Sequence, residues 1–272
     1  MPADLLWLLL ALAASGLFAG FVGGLFGIGG GAIIAPVLFH LFGLIGVPDD
    51  VRTHAAVATS LSTIIATSWR SVAAHAAAGA VDFAVLRGWL PFVALGAAVG
   101  GAVAGMIGAD ILMAIFGGGL ILLAANMAFG KDHWRLARDL PVGAVRAGVG
   151  VGIGGLSALM GIGGGAFGVT LMTLCGRSIH QAVATASGFG AAIAVPATLA
   201  YMIGGWGREG LPPGSVGFVN MPGFAVLATL TAITAPFGAR LAHQLDRAKL
   251  KRLFAVFLAV MGGNLLWEAW KP

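Results

Sequence analysis

Two stretches decide how this chain is read: "GLFGIGGGAI", Gly24 to Ile33, and "ALMGIGGGAF", Ala158 to Phe167. Each sets the same five residues, GIGGG, between apolar runs of helical length. Glycine costs a helix about 1 kcal/mol per residue relative to alanine, so three in succession end one. The chain therefore breaks two apolar helices at matching places.

The surrounding composition says where those helices lie. Of 272 residues, 59% are hydrophobic and only 9% are charged, and the mean hydropathy is +0.98. A soluble domain carries roughly 25% charged residues. Apolar runs near 20 residues recur along the whole chain, which predicts an all-α polytopic membrane protein. The runs lack the dyad alternation of a transmembrane barrel. The formal charge of +5 sits mainly in two short segments between apolar runs, as in cytoplasmic loops, so nucleic acid is not an expected partner. Cys175 is the only cysteine. No intrachain disulfide can form, no zinc or haem spacing is present, and no metal or cofactor is expected. The N-terminus lacks a basic leader and carries Asp4, so it reads as the first helix rather than a signal peptide.

The apolar segments fall at about 4–26, 31–44, 52–79, 87–107, 110–128, 142–160, 165–176, 179–204, 217–241 and 248–266. The second segment of each half is short and the third long. The halves align in order. Gly27 to Ala32 match Gly161 to Ala166, and "HAAVATS" from His54 matches "HQAVATA" from His180. Gly79 falls on Gly205, Pro91 on Pro222, Phe116 on Phe254 and Asn126 on Asn264. The predicted organisation is a first transmembrane repeat over 1–130, a cytoplasmic linker over 131–141 and a second repeat over 142–272.

Charge sets the relation between the repeats. Lys131, Arg135, Arg138 and Arg146 mark the linker, and Arg240, Arg247, Lys249, Lys251 and Arg252 mark the last connection. The first-half counterpart of that connection, Gly108–Asp110, has no Lys or Arg. Equivalent turns thus face opposite sides, which predicts inverted repeats with both termini outside the cell (inner) membrane. Arg52, Arg208 and Lys271 then lie outside.

A glycine break can be a tight turn or a place of close helix packing. In an inverted repeat it can also place bare N–H groups and a positive helix end beside an anion. A nucleotide-binding loop is excluded, because no strand precedes the glycines and the Walker lysine is missing. Gly29, Gly30, Gly31, Gly163, Gly164 and Gly165 are the candidate anion-binding positions.

At these residues the chain resembles the sulfite exporter TauE/SafE family, the toluene sulfonate uptake permease group. The first-repeat pattern is met by Gly24, Gly27, Gly29, Gly30, Gly31 and Pro36, and the following helix by Ala56, Thr59, Ser60, His75, Gly79, Val81 and Asp82. The second repeat matches at Gly161 to Gly165 and Ala182 to Ser187, and the closing signature at Gly238 to Leu258. Thr170 departs from the pattern, standing where Pro36 has its counterpart. The resemblance covers essentially the whole chain. It implies a transporter of small anionic sulfur compounds such as sulfite or organosulfonates; members differ in substrate and direction.

Polar residues within the spans complete the candidate site. Thr59, Thr63 and Arg70 fall within about 40° of one helical face, flanked by Ser60 and Ser62. Hydroxyls and a guanidinium suit a sulfonate or sulfite path. Arg70 fits better a residue snorkelling to headgroups, and the hydroxyls also fit bonds back to their own helix. Thr185 and Ser187 lie on the equivalent second-half helix, and Thr59 coincides with Thr185 in the repeat. His54 and His180 are expected as interfacial anchors. His75 and its counterpart Tyr201 read as membrane-interface residues or wet gate residues. Asn126 and Asn264 are expected as C-terminal caps, with interhelical hydrogen bonding as the second reading.

No Asp or Glu sits deep in a span; Asp82, Asp110, Asp246 and Glu268 lie near helix ends. Proton or sodium coupling usually leaves an embedded carboxylate, so uncoupled or weakly coupled anion movement is expected. The leading reading is an exporter working by alternating access around the two breaks. The rivals are a passive anion channel and an intramembrane sensor or enzyme. No nucleophile–base pair or paired carboxylate supports the enzyme. Expected partners are the lipid bilayer, the small anionic substrate and, as one admissible assembly, a second copy in a homodimer.

Overall fold

A computed structural model describes residues 3–130, 137–242 and 247–270. Lys131, Arg135, Asp246 and Lys271 lie outside the described residues, as do the side chains of Asp4, Arg247, Lys249 and Lys251. The described residues are mainly helical: α1 (Ala3–Phe26), α2 (Gly31–Leu44), α3 (Asp49–Ala77), α4 (Phe83–Ala104), α5 (Ala109–Phe129), α6 (Gly143–Leu159), α7 (Gly165–Leu174), α8 (Ile179–Gly204), α9 (Met221–Leu241) and α10 (Arg247–Ala269). A two-stranded antiparallel hairpin, β1 (Ser215–Val216) and β2 (Val219–Asn220), precedes α9. The apolar segment expected from 217 is therefore helical only from Met221, after the hairpin.

Five helices (α1, α4, α5, α8 and α9) are long and apolar enough to cross a membrane. Their outer faces carry large apolar side chains such as Leu95, Val99, Leu122, Ile233 and Phe237, all exposed. Such a surface is compatible with lipid, where helices satisfy their own backbone groups.

Packing between the halves is reciprocal. Helix α1 lies along α9, and α4 lies along α6. Helix α3 packs on α8, and α5 packs on α10. Each long central helix also meets the fourth helix of the other half, α3 on α9 and α8 on α4. Close approach rests on glycine. A Cβ on Gly96 of α4 would overlap the Val151 carbonyl of α6, and one on Gly24 of α1 would overlap the Ala235 carbonyl of α9. With no Cβ in the way, backbones approach closely and dispersion substitutes for the hydrophobic effect that lipid removes.

Helices α3 and α8 form the centre. From Val51 to Ser68, α3 is buried at every position except Arg52, Ile65 and Ala66. It is not among the five long apolar spans. The most polar of the long helices is thus enclosed by the apolar ones.

Candidate functional site

Each GIGGG run ends one helix and starts the next in a left-handed step. Gly30 (φ 75°, ψ −9°) is the N-cap of α2, and Gly164 (φ 64°, ψ −9°) is the N-cap of α7. Left-handed backbone costs other L-residues about 1–2 kcal/mol, so these positions call for glycine. Helix α7 starts here despite Thr170 standing at the proline position. It is the shorter helix, with 10 residues against 14 in α2.

The two breaks cross at the buried centre. A Cβ on Gly31 would overlap the carbonyl oxygen of Gly161, and one on Gly165 would overlap that of Gly27. Gly29 faces Gly163, whose Cα lies 3.5 Å from the Cβ position of Gly29. Residues 27–36 and 160–166 are all buried. One side chain ties the crossing together. Ser60 Oγ lies 3.3 Å from Gly31 O and 3.1 Å from Gly161 O, so a single hydroxyl proton is shared between carbonyls of both breaks. Helices α2 and α7 both start at this point, so the N–H groups that a first helical turn leaves without intrahelical acceptors gather there.

The candidate hydroxyls divide by role. The backbone N–H of Asn220 donates to Thr59 Oγ1 at 2.9 Å, and that of Asp82 donates to Thr185 Oγ1 at 2.9 Å. Asn220 and Asp82 are themselves N-caps. Asn220 Oδ1 accepts from Gly223 N–H, and Asp82 Oδ1 accepts from Ala84 and Val85 N–H. Each threonine therefore anchors the start of the other half's fourth helix. Ser187 Oγ donates to Ala184 O at 2.7 Å, while its own carbonyl accepts a short hydrogen bond from Ser68 Oγ. Thr59, Ser60, Thr185 and Ser187 are all buried, whereas Arg70 is exposed on α3 and is not brought into the buried cluster.

Two expectations are corrected. His54 is not an interfacial anchor; it is 4% exposed. Its Nε2 lies 3.0 Å from Ala104 O and 3.2 Å from Ile107 O. Two carbonyl acceptors require the proton on Nε2, so the ring closes off the end of α4. His180, its counterpart, is exposed. Asn126 does not cap its helix with its side chain. Its Nδ2 donates to Thr170 Oγ1 on α7 at 2.9 Å, joining α5 to α7.

Sequence reasoning missed the hairpin side chain Phe218. It stacks on His54 (centroids 4.8 Å apart, planes 24°) and meets Tyr201 edge-on (6.3 Å, 78°). The segment "GGWGREGLPPGSVGFVN", 204–220, held the signal: turn residues around an isolated apolar pair. The loop also borders a cavity of about 460 Å³ lined by Trp206, Arg208 and Ser215 among others.

Fold and centre together define a multi-pass helical membrane protein whose two broken helices meet in its core. The chain belongs to the sulfite exporter TauE/SafE family, whose model matches residues 12–265. It is 31% identical over 252 residues to a probable membrane transporter protein of Haemophilus influenzae, covering 92% of this chain and 95% of that one. A probable membrane transporter protein of Methanocaldococcus jannaschii is 28% identical over 268 residues, 95% of this chain and 96% of that one. A third, from Bacillus subtilis, is 31% identical over 183 residues, 60% of this chain and 66% of that one. No solved structure matches the chain. The protein is a probable membrane transporter of this family.

Proposed function

We propose that the protein exports small anionic sulfur compounds, such as sulfite or organosulfonates, by alternating access about the crossing of its two GIGGG breaks. The crossing itself carries this reading: two helices start at one buried point, each against a carbonyl of the opposite break. Helix starts carry about half a positive charge each, and a site excluded from water strengthens their pull on an anion. Ser60 touches both breaks and is the hydroxyl best placed to sense a guest there.

The reciprocal packing of α1 on α9 and α4 on α6 supports reading the halves as inverted repeats. With the basic linker read as cytoplasmic, inverted repeats of five segments each give the reading that both termini lie outside. The tight fit at the crossing supports a transporter over a passive channel, because passage needs the breaks to move apart.

Binding is tested first. Sulfite, thiosulfate, sulfoacetate and taurine are screened for a rise in thermal midpoint of the purified protein, since a ligand of the folded state raises its apparent stability. At least one is expected to stabilise wild type and to lose its effect in Ser60→Ala; stabilisation by none of the four sinks the cargo assignment. Ser60→Ala is a cleaner probe than a bulky residue at Gly30, where a Cβ would stand 2.6 Å from Ala19 O and disrupt the fold along with any site.

Transport is tested in proteoliposomes. Among the described residues no Asp or Glu is buried, and the reading is anion movement driven by voltage, about 2.3 kcal/mol per charge per 100 mV. Flux should saturate with concentration and follow an imposed potential. Flux that requires a proton or sodium gradient and ignores voltage refutes the uncoupled mechanism; flux linear in concentration refutes the transporter in favour of a channel.

A further inference from the structure

The two central helices differ in a way the crossing does not require. At 100° per residue, Ser60, Thr67 and Ser71 lie within about 40° of one another on α3, with Thr63 and His75 about 60° to either side. All five are at most 2% exposed. The positions that align with them on α8 are Ala186, Ile193, Ala197, Phe189 and Tyr201. A row of hydroxyls thus runs from the glycine crossing toward the C-terminal end of α3, while the equivalent row on α8 consists of apolar side chains and one tyrosine.

Buried hydroxyls inside a membrane protein are costly unless bonded. Thr63 Oγ1 donates to Ser60 O at 2.7 Å, and Thr67 Oγ1 donates to Thr63 O at 3.1 Å. These two bonds stay within the helix, so Thr63 and Thr67, unlike Ser60, do not hold α3 to a neighbour. Ser71 Oγ, 2% exposed, meets no hydrogen-bond partner among the described residues. A polar atom kept unpaired in the core calls for a guest or a purpose other than packing.

The two ends of the α3–α8 pair are closed unequally. Gly79 and Gly205 align, each following its long helix. A Cβ on Gly79 would meet nothing within 4 Å, whereas one on Gly205 would run into the Phe218 backbone and ring. The α8–α9 connection, 205–220, lays Phe218 and Val219 into the core at 2% and 0% exposure. Phe218 N–H also donates to Tyr201 O at 3.4 Å. The α3–α4 connection is only residues 78–82, and 77–79 are exposed. The polar row therefore leads to the thinly covered end and away from the plugged one.

We infer that the anion travels between the glycine crossing and the C-terminal end of α3 along Ser60, Thr63, Thr67 and Ser71, with Ser71 the station nearest that end. Hydroxyls suit such a path. Each donates to an oxyanion by rotating its hydroxyl proton toward the guest, and none holds the guest with a full charge. The inference rests on the proposed passage of a small anion through the crossing, and adds its route.

Cysteine accessibility tests the route without knowing the cargo. In a Cys175→Ser background, full-length protein in nanodiscs carries one cysteine at a time: Ser71→Cys, Thr67→Cys, Ala197→Cys or Ile193→Cys. The probes are methanethiosulfonate ethylsulfonate, which is anionic, and its cationic trimethylammonium counterpart. The α3 cysteines should react at least tenfold faster than the α8 ones, with the anionic probe ahead after normalisation to a free thiol. Equal rates on the two helices, or preference for the cation on α3, overturn the route. Ser71→Ala supplies a second readout. The thermal midpoint should hold or rise, because an unpaired buried hydroxyl is removed, while flux of the transported anion falls about tenfold. Unchanged flux overturns the station. A labelled row with no flux of any of the four sulfur anions sinks the cargo and keeps the route; flux with an unlabelled row does the reverse.

Discussion

Helices α3 and α8 align in sequence, pack on each other at the centre of the molecule, and solve the same problem with different chemistry. Both cross the core, both follow a glycine break, and both hold a helix start of the other half through one threonine, Thr59 or Thr185. There the likeness stops. Helix α8 is apolar enough to be recognised as a span, whereas α3 is not. Its polarity is tolerated because other helices shield it from lipid, and intrahelical hydrogen bonds satisfy several of its hydroxyls. The lesson is that two equivalent helices can share a scaffold duty while one of them buries many more hydroxyls than that duty uses.

The strongest way to break this comparison is at the crossing. Gly165→Ala drives a Cβ onto the Gly27 carbonyl, and the strain is backbone on backbone, so we expect a loss of about 3 kcal/mol or more and little monodisperse protein. Gly79→Ala, at a left-handed glycine facing open space, should cost only about 1–2 kcal/mol. Thermal unfolding in detergent checks both; a Gly165→Ala protein as stable as Gly79→Ala would mean that the breaks do not meet as described. Phe218→Ala comes next. It empties the space between His54 and Tyr201, at a cost of about 3 kcal/mol by the usual measure of a buried phenylalanine. A midpoint unchanged from wild type would show that the hairpin does not plug its end.

Smaller effects sharpen the symmetric part. Thr59→Val and Thr185→Val keep shape and remove the acceptor, leaving a helix-start N–H unpaired. Each should cost about 1–2 kcal/mol, and the two should agree. Clearly unequal losses would show that the shared anchoring duty is only apparent. Asn126→Leu removes the bond to Thr170 at an exposed interhelical site. Such bonds average about 0.6 kcal/mol in membrane proteins, so the midpoint should fall by a small amount.

The sequence by itself determined the helices. Hydropathy marked the spans, glycine marked the breaks, and segments such as 31–44 and 179–204 coincide with α2 and α8, because 3.6-residue geometry and the cost of glycine act on neighbours along the chain. The internal alignment singled out Thr59 and Thr185 as a pair, but their partners, Asn220 and Asp82, lie 161 and 103 residues away. Only the tertiary structure decided that the breaks cross, that Ser60 bridges them, that His54 is buried beneath Phe218, and that Arg70 faces outward. Those outcomes depend on which surfaces of distant helices meet. A helix's own residues specify which faces are available and leave the choice of neighbour to packing across the whole molecule.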